Sequence, residues 1–289
     1  MLPQRPTTRR APGNHDLSML SDLAIALGNR LGRGGRAVRM ARPLYSAWLN
    51  AVYGRRGMPW RLNGEPLRIA PTVRHLIPQE NERPLFDYLR SAIRPGDIVF
   101  DIGAFLGIYA IVEARWAGPS GRVIAFEPSP FSFSMLTRHA AMNGLGPSRI
   151  DARHAAVGAS VGRQTLVAFA DEPYRNHLAG HGTSGQVSVD VLTVDAVCGA
   201  DLGRPPDWIR MDVQGLEFDV LQGARETIRA ARGRLRIVAE THPDQWPDFG
   251  IDPADAHDRF AACGLRARPI TSTEPLFTQS GHVVLEPLT

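Results

Sequence analysis

Residues 97–110, DIVFDIGAFLGIYA, decide the fold of this 289-residue chain. The run IVFDI is apolar apart from one acid, as a strand buried on both faces of a parallel sheet should be. It ends in a turn that carries Gly103 and Gly107 and leads into a helical pattern. Glycines at such a turn allow a ligand to approach the backbone closely. The stretch therefore predicts the first strand, turn and helix of a ligand-binding α/β sheet.

Strand and helix patterns alternate after this unit. The apolar strands RVIAFE at 122–127, WIRMD at 208–212 and LRIVAE at 235–240 each end in an acidic residue. Further strands are predicted near 150–154, 265–270 and 282–286, and helices over 106–117, 131–142, 216–231 and 253–262. Alternation of this kind predicts an α/β fold with a mostly parallel sheet and helices on both of its faces.

Composition and patterning divide the chain into four parts. They are a disordered tail at 1–16, a basic amphipathic helical extension at 17–58, a hairpin and helix leading into the core at 59–96, and the ligand-binding domain at 97–289. In the third part, residues 59–76 are predicted to form a hairpin, because Asn63-Gly64 separates two short apolar runs and is a strong signal for a two-residue turn. A helical pattern follows over 82–93.

The charge is unevenly distributed along the chain. Residues 1–60 carry ten Arg and two Asp, a balance of +8, and the remaining 229 residues carry 23 Arg and 27 acids, a balance of −4. The helices predicted over 17–53 favour an extension that packs on the body or on a second subunit, with a peripheral membrane contact as the alternative. The acidic body argues against a nucleic-acid substrate.

Two features bear on the compartment. No apolar run approaches the ~18–20 residues that span a bilayer, and no apolar stretch follows the arginines of the first 16 residues as it would in a signal peptide. Cys198 and Cys263 lack the spacing of a metal site, so we expect two reduced thiols. The sequence therefore predicts a cytoplasmic protein.

The glycine turn and the next strand point to a class of cofactor. A dinucleotide fingerprint needs glycine at the positions that Phe105 and Ile108 occupy, so the turn does not match the motif for nicotinamide cofactors. Glu127 ends the second strand 24 residues after Gly103, where an acid accepts hydrogen bonds from two ribose hydroxyls. With Asp101 at the first strand end, these features fit a nucleoside with a positive tail, and S-adenosylmethionine is such a ligand.

Six stretches of the chain are familiar: VFDIGAFLGIYA (99–110), VIAFEPSP (123–130), ARHAAVG (152–158), LTVDAV (192–197), IRMDVQGLEFDVLQGA (209–224) and IVAETH (237–242). Through them the sequence resembles the FkbM family of S-adenosylmethionine-dependent methyltransferases. The resemblance implies a class I methyltransferase fold, Rossmann-like, with a seven-stranded sheet whose last strand is antiparallel. It also implies methylation of an oxygen on a sugar, a polyketide or another small metabolite.

The resemblance also assigns a cofactor site. The cofactor-binding residues that it implies are Asp101, Gly103, Phe105, Gly107, Glu127, Pro128 and Ala156. The sequence departs from the family at two positions, because the family often has Asn in place of Phe105 and Glu in place of Gln214. The first departure affects a polar contact to the cofactor, and the second affects a carboxylate near the acceptor.

The catalytic residues are expected at the carboxyl ends of the fourth and fifth strands, where ligands bind in open α/β sheets. Asp212, Glu240 and His242 stand there. His242 is the best general base by its ordinary pKa of ~6.5, with Asp212 or Glu240 as the group that orients it. Glu217 is interpreted as an acid that favours the dipole of the helix it begins. No close carboxylate pair is present, so no metal is predicted.

The sequence therefore predicts an S-adenosylmethionine-dependent O-methyltransferase that acts on a hydroxyl of a small metabolite, sugar or glycan. The alternatives are a non-catalytic relative that binds a membrane surface or partner, and a nicotinamide-dependent oxidoreductase. The polar, glycine-rich segment 170–186 interrupts the α/β pattern and is expected to be a lid or binding loop near the acceptor.

Overall fold

The structure is a computed structural model that describes residues 36–167, 177–178, 186–270 and 276–288. The chain divides into two compact units, Met1–Gly54 and Arg55–Thr289. The predicted tail at 1–16 lies outside the described residues, and the domain boundaries predicted from the sequence stay predictions.

The first unit contains helix α1, Arg36–Tyr53. This helix lies within the segment 17–53 that is predicted to be helical, and the part of that segment before residue 36 lies outside the described residues. The rings of Tyr45 and Trp48 stack along the helix with centroids 6.1 Å apart. Among the residues that the structure describes, no helix is both long enough and apolar enough to cross a membrane.

The second unit holds the remaining elements. Its helices are α2 (Arg83–Ala92), α3 (Ile108–Trp116), α4 (Pro130–Met142), α5 (Val194–Val197), α6 (Glu217–Gln222), α7 (Arg225–Ala231) and α8 (Ala256–Ala262). Its strands are β1 (Met58–Leu62), β2 (Glu65–Ile69), β3 (Ile98–Ile102), β4 (Arg122–Phe126), β5 (Ile150–Arg153), β6 (Ala156–Val157), β7 (Gly162–Val167), β8 (His177–Leu178), β9 (Gln186–Leu192), β10 (Trp208–Met211), β11 (Arg236–Thr241), β12 (Leu265–Pro269) and β13 (Gly281–Pro287).

Seven strands form the central sheet in the order β12-β13-β11-β10-β3-β4-β5. The pairs from β11 to β5 are parallel, and β13 runs antiparallel to both β11 and β12. This order confirms the predicted class I methyltransferase fold, including its antiparallel last strand. The carboxyl ends of β3, β4, β10 and β11 consequently meet at one edge of the sheet.

Alternating side chains along each strand enter the cores on the two faces of the sheet, as the two-residue period of a strand requires. Val99 belongs to the core covered by α2, α3 and α4, whereas its neighbour Phe100 belongs to the core covered by α5 to α8. Asp101 and Arg210 alternate onto the same face as Val99. The two residues are register partners on β3 and β10.

The predicted hairpin is confirmed. β1 and β2 pair antiparallel, with Leu62 opposite Glu65. Asn63 and Gly64 lie between them with φ of 48° and 92°, both in the left-handed region that the tightest hairpin turns require. Residues Pro71–Leu76, predicted as part of the hairpin, form a 3-10 helix instead.

The single helix predicted over 216–231 is two helices, α6 and α7. Their junction is Gly223, where a Cβ would overlap the backbone carbonyl of Gly158, so the chain packs too closely there for any other residue. The carboxylate of Asp195 then accepts the backbone N–H groups of Glu226 and Thr227 at 3.1 and 2.7 Å. A side chain from a distant segment thus caps α7 at its start.

A second sheet, in the order β6-β9-β7-β8, was not predicted from the sequence. Its long pair, β7 and β9, is antiparallel and connects Leu166 with Val187 in register. The segment 170–186 falls mostly outside the described residues, so its role as a lid stays a prediction. Within that segment the structure describes β8, which pairs with the end of β7, and the first residue of β9.

Candidate active site

The glycine turn after β3 holds both of its glycines in left-handed backbone, with φ of 80° at Gly103 and 77° at Gly107. A Cβ at residue 103 would overlap the carbonyl oxygen of Asp212, and one at residue 107 would lie 2.9 Å from Leu136 Cγ. Both glycines are therefore required by close contacts with other parts of the chain. The turn is therefore fixed against β10 and α4, whatever ligand it meets on its other side.

Glu127, directly after β4, is hydrogen-bonded to the glycine turn that follows β3. Its buried carboxylate accepts the backbone N–H of Phe105 through Oε2 and the N–H of Ser129 through Oε1, both at 2.8 Å. Burial raises the pKa of Glu127 to about 7, against the lowering effect of these two hydrogen bonds. Each oxygen keeps a second lone pair, so the acceptor chemistry fits ribose hydroxyls.

Two other predicted cofactor residues, Pro128 and Ala156, lie in and next to the elements that follow β4. The Pro128 carbonyl lies 3.1 Å from His154 Nε2. Ala156 is buried in β6 opposite Val191. Both residues belong to the predicted cofactor site, and their assignment stays a prediction.

Asp101 lies inside the sheet rather than at its surface. Its Oδ1 accepts a hydrogen bond from Arg210 Nη1 at 2.9 Å, and both side chains are buried. The guanidinium lies over the ring of Tyr109 at 4.2 Å. Burial and the charge of Asp101 raise the pKa of the neighbouring, fully buried Glu113 well above its ordinary value. The region is thus an ion pair beside a buried carboxyl group whose charged form is disfavoured.

His242 follows β11 and is 4% exposed. Its Nδ1 lies 2.8 Å from Oε1 of the fully buried Glu217 at the start of α6. The same carboxylate accepts the indole N–H of Trp246 at 2.7 Å and the backbone N–H of Gly215 at 3.1 Å. Three contacts therefore fix Glu217, and Glu217 in turn fixes the imidazole.

The other ring nitrogen of His242 faces the strand ends. Its Nε2 is 3.0 Å from the side-chain amide nitrogen of Gln214 and 3.7 Å from oxygens of Asp212 and Glu240. An amide NH₂ only donates, and a carboxylate only accepts. The neutral ring therefore carries its hydrogen on Nδ1, toward Glu217, and presents a lone pair at Nε2.

The predicted orienting partner of His242 was wrong. Asp212 and Glu240 contact the face of the base at Nε2, and the residue that holds Nδ1 is Glu217. The sequence interpretation of Glu217 as a helix-dipole acid missed this role, because an acid in the first turn of a helix has a sufficient local explanation. The partners lie 25 residues apart in the chain, so no local pattern connects them.

The charges around Nε2 are strongly coupled. Burial opposes the charged ring, but the hydrogen bond and charge of Glu217 and the charges of Asp212 and Glu240 together raise the pKa of His242 above 6.5. Burial and the charge of Glu240 raise the pKa of Asp212 to about 6. Burial also opposes the charge of Glu240, yet His282 lowers the pKa of Glu240 to about 2.

Gln214 has an unusual backbone conformation, and its side chain is held by two hydrogen bonds. Its φ of 52° is unusual for a residue other than glycine. Its amide nitrogen donates to Asp212 Oδ1 at 2.8 Å, and its oxygen accepts from Gln245 Nε2 at 3.0 Å. Donor atoms of Asp212, Glu240 and His242 lie within 4.8 Å of one another, which is close enough for the three residues to hold a metal ion. The expectation that the protein uses no metal therefore stays a prediction.

Comparison with known proteins identifies the family. The model of the methyltransferase FkbM domain matches residues 101–266. The chain belongs to the FkbM methyltransferase family. The prediction of an S-adenosylmethionine-dependent methyltransferase is thereby confirmed, and the oxidoreductase alternative loses its support.

Individual relatives of this FkbM methyltransferase differ in how much they share with it. The 31-O-demethyl-FK506 methyltransferase FkbM of Streptomyces tacrolimicus is 38% identical over 216 residues, 66% of this chain and 80% of that protein. Hexuronic acid methyltransferase AglP of Haloferax volcanii is 24% identical over 60% of this chain, which covers 65% of that protein's length. A solved methyltransferase FkbM from Methylobacillus flagellatus is 17% identical with a TM-score of 0.42, over 70% of this chain and 50% of that one.

Proposed function

We propose that this chain transfers a methyl group from S-adenosylmethionine to a hydroxyl oxygen of a small metabolite, sugar or glycan. The names of two relatives support this class of acceptor, since one acts on a demethylated oxygen of FK506 and the other on a hexuronic acid. Those acceptors are properties of the relatives. The observation that carries the proposal for this chain is the pairing of His242 Nδ1 with the buried Glu217 at 2.8 Å, which leaves Nε2 facing the strand ends.

Bound S-adenosylmethionine would supply the activated methyl group for an in-line displacement at the methyl carbon, with the sulfur leaving as the thioether of S-adenosylhomocysteine. The chain's residues proposed to hold it are Glu127, the turn from Gly103 to Gly107, Pro128 and Ala156. Glu127 offers lone pairs to two ribose hydroxyls. Asp101 supports this cofactor site indirectly, because its ion pair with Arg210 connects β3 with β10.

In the proposed reaction, the lone pair on His242 Nε2 takes the proton of the acceptor hydroxyl as the oxygen becomes a nucleophile. The imidazolium that results is stabilised by Glu217 on one side and by Asp212 and Glu240 on the other. The amide of Gln214 occupies Nε2 in the described structure, so the acceptor hydroxyl takes its place. Asp212 and Glu240 then remain as hydrogen-bond acceptors for the substrate.

We further propose that the reaction takes place in the cytoplasm and that the basic extension over residues 17–53 makes a peripheral contact with an anionic surface. The two cysteines support a reducing compartment, because Cys198 and Cys263 are both free thiols. The net charge of the first 60 residues supports the surface contact.

The test of this function is transfer of a radiolabelled methyl group from S-adenosylmethionine to the small-molecule and glycan fractions of the native host. We expect an O-methylated product, and we expect His242→Ala to reduce its formation by ~10²–10⁴-fold. Calorimetry should find the cofactor affinity of this variant nearly unchanged. An N-methylated product, or near-wild-type turnover by the variant, would contradict the proposal.

A further inference from the structure

A cleft beside the hairpin of β1 and β2 is not used in the reaction described above. It has a volume of about 690 Å³, and its walls come from the hairpin and from the ends of α3 and α4. The hairpin lies outside residues 101–266, which the family model matches, so family membership assigns no role to the cleft. The charged and aromatic residues that line it are Trp60, Arg61, Glu65, Arg68 and Arg115.

The cleft is separate from the candidate active site. Helix α3 begins at Ile108, directly after the glycine turn, and Arg115 is in its last turn. At a rise of about 1.5 Å per residue, these two residues are ~10 Å apart along the helix axis. Helix α4 likewise begins three residues after Glu127 and ends at Met142, which lines the cleft. The cleft therefore lies at the far ends of two helices that begin beside the proposed cofactor site.

Hydrogen bonds fix the walls of the cleft to one another. Arg115 at the end of α3 donates to the carbonyl oxygen of Pro66 on β2, and it donates to Asn143 Oδ1 at 2.8 Å. Asn143, directly after α4, accepts the backbone N–H of Arg68 at 3.0 Å and donates to the carbonyl of Arg68 at 2.8 Å. The hairpin and the two helix ends are thus connected by side chains, and the cleft is preformed.

The three arginines of the cleft are held by neutral partners. Arg61 donates through Nη1 to the Gly64 carbonyl at 2.9 Å, and Arg68 donates through Nη1 to the Gly57 carbonyl at 3.0 Å. Among the residues that the structure describes, no carboxylate pairs with Arg61, Arg68 or Arg115. Each guanidinium has five N–H groups, so these contacts orient the arginines without neutralising them and leave donors unused.

The rest of the lining does not compensate this charge. Glu65 is the acid among the lining residues, and it pairs with Arg90 on α2 at 3.3 Å. Partial burial of the guanidinium lowers the pKa of Arg115, and the charge of Glu65 opposes this only in part. The indole N–H of Trp60 is buried and has no hydrogen-bond partner among the described residues. The cleft therefore combines an excess of positive charge with a further donor that needs an acceptor.

The unused donors select the class of ligand. A guanidinium and an indole donate only, so the ligand must offer acceptors. A neutral hydroxyl would leave the positive charge uncompensated, and a carboxylate would supply a single negative charge. A phosphate ester carries about −1.5 to −2 charges at pH 7 and three acceptor oxygens. It matches three arginines opposed by one glutamate, and arginine binds phosphate oxygens through paired, charge-assisted hydrogen bonds.

We propose that the cleft between the β1–β2 hairpin and the ends of α3 and α4 binds the phosphate group of a phosphorylated molecule, with Arg61, Arg68 and Arg115 as its charged contacts. The site is independent of the proposed methyl transfer, because it shares no residue with the candidate active site. A soluble phosphate ester and a phospholipid headgroup offer the same chemistry, and the test separates these two sources.

The test is titration calorimetry on the full chain near pH 8, with glycerol phosphate, glycerate and glycerol as probes. We expect saturable binding of glycerol phosphate, weaker binding of glycerate and no binding of glycerol. Arg61→Gln and Arg115→Gln should each weaken the binding of glycerol phosphate by about tenfold or more. The control is Arg83→Gln, which removes the same charge from an exposed position on α2 that pairs with Asp87 and should leave this binding unchanged.

NMR of the indole N–H groups gives a second readout at the cleft. The resonance of Trp60, identified by its absence in Trp60→Phe, should shift with glycerol phosphate and stay in place with glycerol. Absent binding of glycerol phosphate, tighter binding of glycerate, or equal weakening by Arg83→Gln would overturn the site. If Arg115→Gln fails to fold by circular dichroism, Arg61→Gln decides, because the described contact of its guanidinium is confined to the hairpin turn.

Vesicle flotation then identifies the source of the phosphate. Vesicles of phosphatidylcholine, with and without phosphatidic acid, are mixed with the wild type and with Arg61→Gln. Flotation that needs phosphatidic acid and is lost in Arg61→Gln would assign the cleft to a lipid headgroup. Flotation that is the same in both proteins would arise from another basic surface, such as the extension over residues 17–53, and would assign the cleft to a soluble ester if calorimetry finds binding.

Discussion

The contact between Glu217 and His242 gives the sharpest prediction about this site. Replacing Glu217 with Gln keeps the size of the side chain but removes its charge. A hydrogen bond to a charged group contributes ~1.5–3 kcal/mol, and one pH unit in a pKa corresponds to ~1.36 kcal/mol. We therefore expect the pKa of His242, which Glu217 raises above its ordinary value, to fall by about 1–2 pH units in Glu217→Gln.

Side-chain ¹⁵N NMR of labelled protein measures this pKa without an acceptor molecule. In the wild type, the neutral ring of His242 should carry its proton on Nδ1. The control is Glu226→Gln, which removes an exposed acid paired with Arg229 on α7 and should leave the titration of His242 unchanged. An Nε2-protonated neutral ring in the wild type, or an unchanged pKa in Glu217→Gln, would refute the dyad.

The same contact has a consequence for stability, and its sign follows from the direction of the pKa shift. A histidine whose pKa is raised by folding stabilises the protein fully below its unfolded pKa of ~6.5, and the stabilisation is lost as the pH rises through the folded value. Glu217→Gln should therefore lose more free energy of unfolding at pH 6 than at pH 9. Urea denaturation at the two pH values measures the difference, and a loss that is equal at both would contradict the raised pKa.

Two further predictions concern the cofactor edge and the helix junction. The pKa of Glu127 is about 7, and ribose hydroxyls need its ionised form, so the calorimetric affinity for S-adenosylmethionine should rise from pH 6 to pH 8. Glu127→Ala should weaken this affinity by ~1.5–3 kcal/mol at pH 8. An unchanged affinity would show that Glu127 does not bind the ribose. Asp195→Ala removes the cap of α7 and should lower the free energy of unfolding by ~0.5–2 kcal/mol, whereas Asp190→Ala, in an exposed pair with Arg163, should change it by less than about 0.5 kcal/mol.

The sequence predicted the central sheet well because its strands carry a complete local signal. IVFDI and WIRMD are mostly apolar runs, and each is followed by glycine or a helical pattern. The second sheet was missed in spite of a local signal, because QVSVDVL at 186–192 alternates polar and apolar residues as a half-exposed strand does. Its partners β6 and β8 are only two residues long and carry no such pattern.

The candidate site was predictable only in part. Strand ends marked Asp212, Glu240 and His242, because parallel strands bring their carboxyl ends to one edge. The break at Gly223 depends on the backbone of Gly158, and the role of Glu217 depends on His242, which is 25 residues further along the chain. Contacts of this kind have no periodic signature, so the sequence alone did not reveal them.

The buried pair of Asp101 and Arg210 also bears on how β3 finds its place beside β10. A slip of two residues between the strands would keep every apolar side chain on its own face, because strands repeat every two residues. Burial of apolar area therefore discriminates poorly against that misalignment. The slip would, however, leave a buried guanidinium without its carboxylate, at a cost of ~3–5 kcal/mol. The charge pair thus favours the native alignment of β3 and β10 over the alignment shifted by two residues.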